Sequence, residues 1–128
     1  MRLWHEELLD KLPRQQLLGQ HREVAALLGQ GWEKNHSTID YIFNYSLERL
    51  KGYHYKVMKA MLDRGYNPSE EWFDHQYRGK QIGIDESLGA IKGIADKSYP
   101  EHDLGYLVEC IENMADKGCV CKYVEDYT

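Results

Sequence analysis

Six histidines, three cysteines and 21 acidic residues are the groups that could carry chemistry in this chain, and their spacing removes most options. His5, His21, His36, His54, His75 and His102 are scattered, with no pair at i,i+4 to face a metal from one helix. His21 and His54 read as helix-face histidines bonded to backbone or water. Cys119-Val120-Cys121 has the form of half a metal site, but no second Cys or His pair stands at zinc-finger spacing, so no metal is assigned. With Cys110, these cysteines read as reduced thiols. No phosphate-cradling glycine loop or nucleophile elbow is present. Two features remain. Glu23 lies on a polar helix face with Gln16 and Gln20, and Gly19 sits one turn before it. Gly19 costs helix stability and is tolerated where a backbone or ligand comes close. The loop Tyr77-Arg78-Gly79-Lys80 sets an aromatic ring beside two cations. By residue type alone, Glu23 is a solvated acid paired with Arg22 or Arg2. Tyr77 is the better candidate to stack on a base, while Trp4, Trp32, Trp72, Tyr41 and Tyr66 read as core.

The elements that must position these groups are helical. Pro13 opens a helix to about Leu28, stopped by Gly29 and Gly31. Leu17, Leu18, Val24, Ala25 and Leu28 form its buried stripe. Residues 32–45 read as a loop with a short extended or helical piece. A second helix spans about Ser46–Arg64, with Leu47, Leu50, His54, Val57, Met58, Met61 and Leu62 inward and Gly65 as its stop. Asn67-Pro68-Ser69-Glu70 starts a short helix through Trp72 and Phe73. Glu86–Lys97 reads as helical, and the last helix runs from about His102 to Lys117, with Leu104, Leu107, Val108, Ile111 and Met114 inward. The tail after Cys121 is acidic and aromatic and reads as a strand-like segment. The sum is an all-α fold, one compact domain over residues 1–128 with several helices and long connecting loops.

Length and charge bound what such a domain can do. With 128 residues there is room for one core and none for separate cofactor and substrate domains. Apolar residues at 42% and charged residues at 29% exclude disorder and collagen-like chains. No segment approaches the roughly 20 apolar residues of a membrane span, and the start lacks a signal peptide's apolar stretch, so a cytoplasmic protein is expected. The net charge of −5 is uneven. Residues 1–80 carry 12 Lys and Arg against 11 Asp and Glu, and residues 81–128 carry 4 against 10. Any anion-binding face therefore belongs to the first two thirds, as a local patch rather than a global field.

The stretch Leu12-Pro13-Arg14-Gln15-Gln16-Leu17-Leu18-Gly19-Gln20-His21-Arg22-Glu23 resembles the pyrimidine-dimer DNA glycosylases of the phage endonuclease V type. The chain is more similar still to bacterial members that begin Met-Arg-Leu-Trp-His. The likeness covers the N-terminus, the helix ending in Gln20-His21-Arg22-Glu23, and the second helix with Leu62-Asp63-Arg64-Gly65-Tyr66. It implies an N-terminal α-amine as nucleophile, here that of Met1, an adjacent DNA-contacting arginine, here Arg2, and an essential acid/base on the first long helix, here Glu23. Gln15 and Arg22 match further family positions. Arg14, Lys34, Tyr77, Arg78 and Lys80 complete the expected DNA-facing set.

The sequence also departs from the family's pattern. The family exposes a threonine after removal of the initiator methionine, whereas a bulky residue follows Met1 here. Gln16 replaces a family histidine, Ala26 replaces a basic residue one turn past the acid, and the basic aromatic tail is replaced by the acidic Tyr123–Tyr127. The implied activity is glycosylase with β-elimination lyase chemistry on double-stranded DNA carrying a damaged or abasic site. It needs no cofactor and is expected of a monomer. The alternative is a binding module for nucleic acid or protein that keeps the fold without the chemistry.

Overall fold

A computed structural model describes residues 2–32 and 39–116. Three α-helices organise them: α1 (Arg14–Leu28), α2 (Leu47–Asp63) and α3 (Leu104–Asp116). Short 3-10 turns occupy Glu6–Leu8, Asp40–Asn44 and Glu70–Phe73. Among the described residues there is no β-strand, only a single bridge between Tyr77 and Ile84, so the fold is all-α. No described helix is long and apolar enough to cross a membrane.

Pro13 precedes α1, and its carbonyl accepts the Leu17 N–H at 3.0 Å. Proline lacks an N–H but keeps its carbonyl, which suits the start of a helix. At the other end the Gly29 N–H still reaches Ala25 O, and Gly31 passes so close that a Cβ would lie 2.8 Å from Ala26 O. α1 packs on α2, and Leu17, Val24, Leu27, Leu28, Leu50 and Val57 are buried in the shared core.

Three details differ from the periodicity. Gln20, read as part of the solvent-facing side of α1, is only 1% exposed. On α2 the inward side includes Tyr53 and Lys51, whereas Leu62 is exposed. On α3 the buried face is Leu107, Cys110, Ile111 and Met114, and Leu104 and Val108 face outward. That set keeps the three/four spacing but is rotated from the expected one.

The segment 86–97 is not helical. It crosses α2 as irregular chain, with the Lys92 N–H donating to Glu48 O at 3.0 Å and the Gly89 N–H to the Glu48 carboxylate. Gly52 permits the crossing, because a Cβ there would lie 1.8 Å from Lys92 O. Gly93 adopts φ +77°, in the left-handed region that a helix cannot use. Two glycines had already lowered the helix propensity, and bonds to α2 replace the helical ladder. The short helix expected after Asn67 is the 3-10 turn Glu70–Phe73, with Ser69 in the N-cap position and no side-chain cap bond. Lys117, the Cys119–Cys121 pair and the tail lie outside the described residues.

Candidate active site

Residues 2–5 belong to no helix or strand, so their backbone groups must find partners elsewhere. They find them in side chains from all three helices. From α1, Gln20 Nε2 donates to Arg2 O at 3.1 Å, and Gln20 Oε1 accepts the Trp4 N–H at 2.7 Å. From α2, the Tyr53 hydroxyl donates to Trp4 O at 2.6 Å. From α3, the Tyr106 hydroxyl donates to Leu3 O at 2.5 Å. The carbonyls of residues 2, 3 and 4 are thus held in turn by three different elements.

Gln20 is the hub of this clamp. Its Oε1 shares the one Tyr53 hydroxyl proton with Trp4 O, at 2.9 Å, and its Nε2 also donates to Glu23 Oε2 at 3.4 Å. Two donors face the amide oxygen and two acceptors face the amide nitrogen, which fixes the amide's orientation. Gln20 and Glu23 are one turn apart on α1 and so share a face. The half-buried Glu23 carboxylate and the second residue's carbonyl therefore sit on the same nitrogen. Burial holds the Tyr53 hydroxyl in its protonated form, raising its pKa well above 10. It therefore stays a donor at physiological pH.

The other residues expected to act lie in varied surroundings. Met1 and Lys34 are outside the described residues. The Arg2 guanidinium pairs with Glu109 at 3.3 Å and lies over the Tyr106 ring. Arg14 lies over the Tyr66 ring, and Gln15 and Arg22 are exposed on α1. Among the described residues, and leaving aside the helix's own backbone, the one atom within 4 Å of a Cβ at Gly19 is in the Arg22 guanidinium, at 3.8 Å. Arg78 closes the C-terminal end of α1: its Nε donates to Leu28 O at 2.8 Å, and its Nη1 meets Asp85 at 2.9 Å. Hydrogen bonds from Ser87 and Arg78 hold the Asp85 carboxyl below its ordinary range. Tyr77 packs edge-on against Trp72, with centroids 4.7 Å apart. Its carbonyl takes a hydrogen bond from the buried Lys51 ammonium, whose pKa burial pushes down to about 8. Lys80 is exposed on the rim of an apolar cleft of about 430 Å³, walled by Ala25, Ala26, Gly29 and Trp72.

The two helix histidines are bonded to each other. His54 Nε2 and His21 Nδ1 are 2.8 Å apart, with the rings stacked. Burial pushes both pKa values down, well down for His54, so the pair is neutral at pH 7. Among the described residues no three His, Cys, Asp or Glu side chains cluster as a metal site.

The family model for pyrimidine dimer DNA glycosylases matches residues 1–74. The chain belongs to the pyrimidine dimer DNA glycosylase family. The match takes in Arg2, α1 with Glu23, α2 and the turn at Trp72. α3, which supplies Tyr106, lies beyond it. No curated protein and no solved structure matches the chain. At family level this places the chain among the DNA-repair glycosylases, a family whose substrate class is DNA. Arg2 and Glu23 were expected from the resemblance; Gln20, Tyr53 and Tyr106, which hold the chain start, were not among the expected residues. The one available signal was Gln20 one turn before Glu23.

Proposed function

We propose that the chain is a DNA glycosylase with β-lyase activity, in which the α-amine of Met1 is the nucleophile and Glu23 the acid/base. The observation that carries this reading is the shared hydrogen-bond donor. The carbonyl of the residue bonded to Met1 and the Glu23 carboxylate both accept from Gln20 Nε2. An α-amine has a reference pKa near 8, so a useful fraction is neutral at physiological pH, unlike a lysine near 10.4. The neutral nitrogen attacks C1′ of the damaged nucleotide. The C1′–base bond breaks, and its electron pair leaves with the base, which takes up a proton. The attached nitrogen loses a proton, O4′ takes one up as the C1′–O4′ bond opens to a 4′-hydroxyl, and the nitrogen lone pair forms the C1′ iminium. At an abasic site the amine instead condenses with the aldehyde and releases water.

The iminium is an electron sink. Glu23 removes a C2′ proton, the electron pair moves toward C1′, and the C3′–O bond breaks to release the 3′ phosphate. The same carboxylate stabilises the positive nitrogen as it forms. Water then hydrolyses the imine and frees the amine. No metal or organic cofactor enters this scheme.

The exposed residues Arg14, Gln15, Arg22 and Lys80 are assigned to the DNA backbone, together with Lys34. Arg2, Tyr77 and Arg78 are assigned mainly to holding the protein around the site, because each is engaged within the protein. Reaching C1′ in a duplex requires extruding or kinking the nucleotide, at a few kcal/mol recovered from backbone contacts. The test is incubation of the untagged chain with duplexes carrying one abasic site or one pyrimidine dimer. Strand scission leaving a 3′ unsaturated aldehyde is expected. Binding that weakens steeply with salt but produces no scission would instead favour the non-catalytic module.

A further inference from the structure

Most of the groups holding the chain start do not touch the substrate in the reaction above, and one of them lies outside the family match. We infer that Gln20 is a positioning residue for the N-terminal amine, and that Tyr106 of α3 completes its action by fixing the next carbonyl. This rests on the proposed amine chemistry.

Residues 2–4 have no helical or sheet bonds to hold them, yet each of their carbonyls is bonded to a side chain. Gln20 is 1% exposed and Tyr53 is fully buried, so the bonds at Trp4 are shielded from bulk water, while those to Arg2 O and Leu3 O are part-buried. A terminal residue is ordinarily free to sample many conformations. Holding the Arg2–Leu3 peptide fixes the point from which the chain start emerges, which narrows the space its amine must search before substrate arrives. Gln20 adds something a purely structural anchor would lack. Its Nε2 bonds the Glu23 carboxylate as well as Arg2 O, so it fixes the acid and the chain start relative to one another. A hydrogen bond to the ionised carboxylate also favours its charged form.

Two substitutions separate positioning from folding. Gln20→Glu keeps an acceptor for the Trp4 N–H and the Tyr53 hydroxyl, but replaces the donor with a second carboxylate beside Glu23. Tyr106→Phe deletes the hydroxyl that bonds Leu3 O and keeps the ring under Arg2. Rates of borohydride trapping on abasic DNA are measured at saturating DNA across pH, with melting temperature and DNA affinity measured in parallel. Folded Gln20→Glu should trap about tenfold or more slowly at pH 7. Its pH profile should move upward by about half a unit or more, because the added negative charge raises the pKa of Glu23 and of the amine. A residue that served only the fold would change the folded fraction and leave the trapping rate of the folded protein at saturating DNA in place. Tyr106→Phe should trap several-fold more slowly, roughly three- to tenfold, with unchanged DNA affinity. If Gln20→Glu does not fold, Tyr106→Phe carries the test alone. Wild-type rates and profile in the folded variants would overturn the inference. Should the wild-type protein itself form no adduct, the catalytic reading fails. The positioning claim is then decided by NMR titration of the α-amine, whose pKa must differ between wild type and Gln20→Glu, or between wild type and Tyr106→Phe if the former is unfolded. An unchanged value overturns it.

Discussion

Gln20 Nε2 donates to the Arg2 carbonyl at 3.1 Å and to the Glu23 carboxylate at 3.4 Å. One buried amide thus connects the start of the chain to an acid on the first long helix. The wider frame explains why this amide is held so firmly. Tyr53 bonds both Gln20 Oε1 and Trp4 O, so α2 braces α1 and the N-terminal segment together.

Replacing Glu23 by Gln should remove the acid/base without changing the size of the side chain. Lyase turnover on abasic DNA should fall by about 10²- to 10⁴-fold. DNA affinity should change little, because a carboxylate contributes no attractive phosphate contact. Single-turnover cleavage with parallel binding measurements checks both halves of this prediction.

The arginines should divide by role. Arg78→Ala leaves Leu28 O without its side-chain donor and Asp85 without its cationic partner, and should cost about 1–3 kcal/mol of stability in chemical denaturation. Arg22→Ala removes an exposed charge and should leave stability within about 0.5 kcal/mol. It should also lower the slope of log affinity against log salt by about one. Equal effects of the two substitutions on stability would contradict this division.

Stability should fall on acidification below neutrality. Burial lowers the pKa of His21, His54 and His102, the last to about 3, while an unfolded histidine titrates near 6.5. Below pH 6.5 the unfolded chain therefore binds protons that the folded chain refuses. Their contribution is fully present above that pH and is lost as pH falls toward the folded values. For a well-buried histidine such as His102 the slope approaches 1.4 kcal/mol per pH unit. Urea denaturation at pH 7 and pH 5 measures the difference, and His102→Gln should reduce it.

Much of this architecture was legible in the residue pattern. Pro13, Gly29 and Gly65 punctuate α1 and α2 by backbone chemistry, and punctuation of that kind is local. The segment 86–97 was not legible, because its conformation is set by α2: Glu48 and the missing side chain of Gly52 decide it from about 40 residues away in sequence. Glu23 could be reached through family register. Gln20 could not be reached as a buried residue, because a glutamine among polar neighbours reads as solvent-facing until Tyr53 and Trp4 are brought to it. Tyr106 stands more than 100 residues from its partner Leu3, and no short-range pattern links them.

The most direct measurement is borohydride reduction of the untagged protein with abasic-site DNA, followed by mass spectrometry of the cross-linked peptide. The account predicts one covalent adduct, on the α-nitrogen of Met1, lost when that amine is blocked by acetylation. An adduct on a lysine side chain, or none at all under conditions where the protein binds the DNA, would contradict it.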